Sequence, residues 1–146
     1  MNYDVIVIGS GPGGYVAAIR ASQLGKKVAV VEKSEIGGTC LNWGCIPTKA
    51  LLKSAQVYTY MKHAENYGIS VEGKVKADME AVVRRSRGVA EGMSKGVQYL
   101  FKKNNVELIA GYGSLTADKK VKVVDAEGNE NIYEAEHIIL ATGCRV

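Results

Sequence analysis

An unbroken apolar run, Val5-Ile6-Val7-Ile8, leads straight into Gly9-Ser10-Gly11-Pro12-Gly13-Gly14, and this junction restricts the fold more than any other segment. Consecutive β-branched residues without polar alternation predict a strand buried on both faces, as in a parallel sheet. Gly9, Gly11 and Gly14 meet the three needs of a dinucleotide-binding turn: a tight bend, room for a pyrophosphate, and close contact between helix and strand. A helix is expected over residues 13–24, with Gly25 as its stop. Residues 27–31 read as a second parallel strand closing in Glu32-Lys33, which completes a right-handed βαβ unit. Glu32 is placed to accept two hydrogen bonds from ribose hydroxyls, and its charge would oppose a 2′-phosphate. A solvated residue at a strand end is the plain alternative.

Segment 37–49, Gly37-Gly38-Thr39-Cys40-Leu41-Asn42-Trp43-Gly44-Cys45-Ile46-Pro47-Thr48-Lys49, places two cysteines five positions apart in a glycine-rich turn. Zinc would need further ligands at usable spacing, whereas His63 and His137 are distant and Cys144 is isolated. Buried core cysteines would hardly be framed by Gly37, Gly38, Gly44 and Pro47. A redox pair suits the setting, because a disulfide beside a bound redox cofactor moves two electrons between a nucleotide and a thiol. Pro47 is expected to open a helix running toward His63, whose free amides and dipole favour thiolate character at Cys45. Lys49, on the first turn of that helix, opposes the dipole; a flavin edge, the Cys45 thiolate or plain solvent would each account for it. Trp43 is either a lid over the pair or packing for the turn.

After a polar linker over 66–76, the longest periodic segment spans 77–104. Met79, Val82/Val83, Val89, Met93, Val97 and Leu100/Phe101 recur at spacings of three and four, which predicts one apolar stripe. Gly88, Gly92 and Gly96 share a face of this helix, and each should weaken an exposed helix by about 1 kcal/mol relative to alanine. Close approach of the helix that starts near Pro47 is the expected reason for them. Residues 106–111 predict a short strand, 114–136 an antiparallel hairpin turning at Asp125-Ala126-Glu127-Gly128-Asn129, and 136–140 a last buried strand running into Ala141-Thr142-Gly143. The expected fold is a three-layer Rossmann-like α/β domain. Its parallel sheet comes from 4–8, 27–31 and the strands at Val106 and Ile138, joined by a small antiparallel β-meander and two long antiparallel helices over 47–63 and 77–104.

A chain of 146 residues suffices for one compact domain with a real core. A net charge of +4 is too modest for a nucleic-acid footprint, and Arg84-Arg85-Arg87 reads as a solvated helix face. No apolar run reaches the roughly 18 residues of a membrane span. No secretion signal or transit peptide is expected at the N-terminus, and three cysteines are too few for a disulfide scaffold, so a reducing, cytoplasmic setting is expected.

These motifs carry a likeness that runs over residues 3–143: the chain resembles the flavin-dependent pyridine nucleotide–disulfide oxidoreductases, and within them the lipoamide enzymes. The resemblance implies FAD at Gly9, Gly11, Pro12, Gly13 and Gly14, with Glu32 and Lys33 at the adenosine ribose and Gly38 and Thr39 before the cysteines. It implies Cys40, Cys45 and Lys49 as catalytic residues that also meet the cofactor. Cys40 would exchange with a substrate dithiol, Cys45 would sit beside the flavin ring, and Lys49 would lie near flavin N5. Gly113 would fall in a turn near the adenine, and Ala141, Thr142 and Gly143 in the loop returning to the FAD-binding core. Leu41-Asn42 and Ile46-Pro47-Thr48-Lys49-Ala50-Leu51-Leu52 look like lipoamide enzymes, whereas glutathione and mercuric reductases tend to carry valine at the positions of Leu41 and Ile46. Trp43 and Cys144 depart from the family pattern.

The resemblance covers about a third of such an enzyme. Residues 1–146 are accordingly expected to be the N-terminal part of the FAD-binding domain, without the NAD and dimerisation domains. The complete enzyme would be a homodimer that oxidises dihydrolipoamide on the lipoyl domain of a 2-oxoacid dehydrogenase complex or glycine cleavage system, with NAD⁺ as final acceptor. Neither His63 nor His137 can stand for the family's histidine–glutamate acid–base pair. The chain alone is expected to be inactive, a non-catalytic FAD-binding or structural module. No metal, nucleic acid or membrane partner is expected.

Overall fold

The computed structural model describes residues 2–144. In chain order the elements are β1 (Asn2–Ile8), α1 (Pro12–Gln23), β2 (Val28–Glu32), α2 (Gly38–Asn42), α3 (Cys45–Lys62), a 3₁₀ turn (Ala64–Tyr67), α4 (Met79–Lys103), β3 (Glu107–Ala110), β4 (Tyr112–Leu115), β5 (Val121–Val124) and β6 (Glu130–Leu140). They build one six-stranded sheet ordered β3-β2-β1-β6-β5-β4. β3, β2, β1 and the later part of β6 are parallel, with Val5 opposite Val28 and His137. β4, β5 and the start of β6 form the antiparallel meander. The expected three-layer α/β architecture and its four parallel strands are therefore present.

Each face of β1 feeds a separate core. Val5 and Val7 pack with Ala18, Val28, Val30, Val97 and Phe101 beneath the helices, while Ile6 and Ile8 meet Val31, Ile109, Val121 and Val123 beneath the meander. Burial on both faces is why this strand shows no polar alternation. Near its start the amides of Asp4 and Val5 both donate to the Lys27 carbonyl (2.9 and 3.2 Å), and Tyr3 and Ile6 both pack beneath the meander.

Four expectations are corrected. The return of the hairpin and the final strand are a single eleven-residue strand, β6, whose first residues serve β5 and whose later ones serve β1. The cysteine segment is not all turn: residues 38–42 form the short helix α2. The next helix begins at Cys45 rather than Pro47, and the proline takes its third position, where a missing amide leaves no hydrogen bond unmade. Lys49 is consequently in the second turn.

The fourth correction concerns α4. It starts where expected, capped by the Asp78 carboxylate accepting from the Ala81 amide, and runs antiparallel to α3. Arg85 reaches Ala50 and Ser54, Arg87 reaches Asn42 and Ser94 reaches Ile36, so later residues of α4 meet earlier ones of the cysteine segment. Its buried face is Ser86, Ala90, Ser94, Val97 and Phe101, whereas Met79, Val83, Val89, Met93 and Leu100 of the expected stripe are exposed. Gly88, Gly92 and Gly96 meet nothing: a Cβ built on any of them finds no atom within 4 Å. Close packing against the neighbouring helices is done by the small side chains Ser86, Ala90 and Ser94, four residues apart.

Candidate functional site: the glycine loop and the cysteine turn

β1, β2 and β6 end on the same edge of the sheet, and their carboxyl ends carry the glycine loop, Glu32 and Ala141-Thr142. β1 has β2 on one side and β6 on the other, which makes this edge the switch point where open α/β sheets hold ligands. Gly9 bends the chain with a φ of +103°, and a Cβ there would stand 2.3 Å from the Ala141 carbonyl oxygen. A Cβ on Gly14 would stand 1.9 Å from the Gly9 carbonyl oxygen. These two glycines are thus demanded by the fold. Gly11 and Gly13 are not, since both open onto free space in front of α1. Pro12 opens that helix and no side chain caps its first turn.

Glu32 closes the floor of the loop. Its Oε2 accepts from the Ser10 amide (2.9 Å) and hydroxyl (2.6 Å), and its Oε1 from the amides of Lys33 (2.9 Å) and Ser34 (3.0 Å). Four protein donors fill the acceptor capacity of the carboxylate. Ser10 is fully buried, and both its hydroxyl and its carbonyl accept from the Gly37 amide (3.2 and 3.1 Å). One serine therefore ties the glycine loop, Glu32 and the cysteine segment together. Reading the sequence missed it, although a hydroxyl in an otherwise glycine and proline loop is a signal for a buried hydrogen bond.

The cysteine segment lies directly on this loop: a Cβ on Gly38 would come within 2.9 Å of Gly11 Cα. α2 carries Cys40, and Cys45 is the first residue of α3. Asn42 braces α2 from inside, its Nδ2 donating to the carbonyls of Ile36 and Gly38 (3.0 Å each). Both thiols are unbonded; Cys40 is half-buried and Cys45 exposed. The Cys40 thiol is pushed up from its ordinary range, first by its hydrogen bond to Cys45, then by burial and by the charge of Cys45. The Cys45 backbone amide and the Lys49 cation pull more weakly the other way. Cys45 is thus the largest influence on the Cys40 thiol.

The remaining expected residues fall around this centre or away from it. Thr39 and Lys49 are exposed beside the cysteines. Lys33 places its ammonium over the Tyr112 ring, 5.2 Å from the centroid. Gly113 lies within β4 rather than in a turn, and a Cβ there would touch Ile8 and Val31 at 3.0 Å. Thr142 and Gly143 follow β6, and Cys144 is an exposed free thiol. His63 and His137 are exposed, with Glu65 4.0 Å from the first and Glu136 3.8 Å from the second. Among the described residues no group of three or more His, Cys, Asp or Glu side chains is arranged to hold a metal ion.

Comparison with known proteins gives a consistent result. The chain is 54% identical over 144 residues to the dihydrolipoyl dehydrogenase of Zymomonas mobilis, covering 99% of this chain and 31% of that protein. It is 51% identical over 158 residues to that of Rhizobium etli, covering 99% of this chain and 33% of that protein. Against the dihydrolipoyl dehydrogenase of Chlorobaculum tepidum the identity is 52% over 141 residues, or 97% of this chain and 30% of that protein. The chain spans about a third of the length of these curated relatives. The family model for pyridine nucleotide-disulphide oxidoreductases matches residues 3–146, so the sheet, the glycine loop and the cysteine turn all lie inside the match, and the chain belongs to that family.

Proposed function

We propose that this chain is the FAD-binding, disulfide-bearing part of a dihydrolipoyl dehydrogenase, and that it is not catalytically competent alone. The observation that carries the reading is the contact of the cysteine turn with the glycine loop at Gly38 and Gly11. A dinucleotide suits the loop. Gly11 and Gly13 leave room where side chains would stand, and the uncapped first turn of α1 offers its amides to a pyrophosphate. For Glu32 to hold a ribose, its Oε1 would exchange the amides of Lys33 and Ser34 for hydroxyls. Bound there, FAD would supply the two-electron acceptor that NAD⁺ later empties.

The protein's own part is thiol exchange. A thiolate of the substrate dithiol attacks Cys40 Sγ of the Cys40–Cys45 disulfide, which forms a mixed disulfide and releases Cys45 as a thiolate. The second substrate thiol then attacks the substrate sulfur of the mixed disulfide. A cyclic substrate disulfide closes and Cys40 leaves, so the pair gains two electrons as the substrate loses two electrons and two protons. The Cys40 thiolate released in that step takes up a proton readily, because its hydrogen bond to Cys45 and its burial raise the thiol from its ordinary range. Lys49 adds a positive charge that favours thiolate at Cys40. The substrate proposed is a lipoyl domain, and the setting proposed is the cytoplasm, where a cycling pair is not locked oxidised. Among the described residues no helix is long and apolar enough to cross a membrane.

Assaying the full-length protein with dihydrolipoamide and NAD⁺, with glutathione disulfide, and with Hg²⁺ tests the reading. Turnover of dihydrolipoamide is expected, and a preference for either of the other two overturns the substrate. The 146-residue chain, reconstituted with FAD, is expected to show a resolved flavin band and no NADH-linked turnover. Turnover by the chain alone contradicts the assignment of its role.

A further inference from the structure

We propose that Arg87 is a positioning residue for the Cys40–Cys45 pair: by gripping the link between the two sulfurs it makes the closed disulfide more favourable than the open dithiol. The inference rests on the redox-pair reading above and adds a residue on another element to it.

α2 has five residues and no side-chain cap at its start, so it is too short to hold Cys40 in place unaided. The 25-residue α4 holds it instead. Ser94 Oγ donates to the Ile36 carbonyl (2.8 Å) ahead of α2, and Arg87 Nη1 donates to the Asn42 carbonyl (3.0 Å) at its end. Arg87 and Ser94 stand two turns apart, roughly 10 Å along the helix, which spans the short element between them. Arg87 also covers the exposed Trp43, its guanidinium carbon 5.0 Å from the ring centroid. Trp43 in turn reaches Glu35, whose carboxyl is held below its ordinary range first by the Ser34 hydroxyl and in smaller part by this indole. Asn42 and Trp43 are the middle two of the four residues that link the cysteines, so the arginine fixes the part of the chain that sets how the sulfurs meet. Arg85 anchors the other side, donating to the Ala50 carbonyl (2.9 Å) within α3 and leaving the link untouched.

Arg87 is exposed, and a single exposed contact of this kind contributes little to global stability. Its effect should appear at the pair. The two possible actions of a cation here have opposite signs. A charge that stabilised thiolate would favour the reduced form, and its loss would favour the disulfide. The grip is made while both thiols are free and hydrogen-bonded to each other, so it holds the open pair near its closed arrangement, reduces the entropy lost on closure and favours the disulfide; its loss favours the dithiol.

The test is a glutathione redox titration of the 146-residue chain carrying Cys144→Ala throughout. In the reaction, glutathione disulfide is cleaved to two thiols as the Cys40–Cys45 bond forms, and the two cysteine protons pass to glutathione. Arg87→Ala is expected to lower the equilibrium constant for closure about tenfold, equivalent to about 30 mV for this two-electron couple. Arg87→Lys keeps the charge but not the planar fork, and is expected to shift in the same direction. It also serves if the alanine variant fails to fold by circular dichroism. Arg85→Ala is expected to leave the constant within about twofold. If Arg87→Ala or Arg87→Lys stays within twofold of the parent, or shifts toward the disulfide, the inference is overturned. If the parent itself closes no Cys40–Cys45 bond, the redox-pair reading fails first.

Discussion

Alanine at positions 88, 92 and 96 is expected to stabilise the chain, by about 1 kcal/mol at each site. All three glycines lie inside α4, are solvent-exposed, and leave open space within 4 Å of an added Cβ. Nothing in the fold therefore opposes the substitution, and the gain is the backbone entropy that glycine loses on entering a helix. Summing the three helix-propensity gains gives about 3 kcal/mol for the triple variant. For a domain of this size that corresponds to a rise in Tm of roughly 6–12 °C. The assay is thermal and urea unfolding followed by circular dichroism, with an unchanged m-value required before midpoints are compared. A loss of stability at any one of the three positions would refute the reasoning, because it would mean that the glycine serves a close contact after all. Ala90→Leu provides the contrast on the buried face, where overpacking against the cysteine segment should cost about 1–3 kcal/mol.

Gly14→Ala is expected to cost about 3 kcal/mol or more and to abolish FAD retention, since the added methyl would overlap the Gly9 carbonyl; a variant that unfolds like the parent would refute the close-approach reading. Cys45→Ala should lower the pH at which Cys40 becomes reactive, because the largest influence raising that thiol is removed; iodoacetamide rates against pH would show it, and an unchanged midpoint would contradict the coupling. Tyr3 is buried and its phenol is pushed up to about 12, first by burial and then by Glu107, so folding favours the neutral form. The stability it contributes is complete below pH 10 and is lost as pH rises through about 12. Denaturation across that window should show a fall that Tyr3→Phe reduces.

The βαβ unit, the meander and the cysteine turn are legible in the sequence because each rests on a local signal. Buried strands read as continuous apolar runs, the loop glycines have steric duties fixed by backbone geometry, and Asp125 to Asn129 is a turn whose carboxylate collects the Glu127 and Asn129 amides. Periodicity failed on α4 for a physical reason. It records where apolar residues recur, not which face another element will cover, and helices meet most closely through small side chains. Ser86, Ala90 and Ser94 form that contact, and two of the three are polar, so a hydrophobic pattern cannot reveal them.

The same limit hid the residues that tie the two halves of the site together. Ser10 joins the glycine loop to Gly37, while Arg87 and Ser94 join α4 to the ends of α2, across separations that no local window spans. Each bond ends on a backbone carbonyl or amide, so the partner's side chain leaves no trace in the sequence. Glycines and cysteines announce what chemistry a segment can host. How firmly the two cysteines are held depends instead on hydroxyl and guanidinium groups from elsewhere in the chain, and these can be found only once the helices are in place.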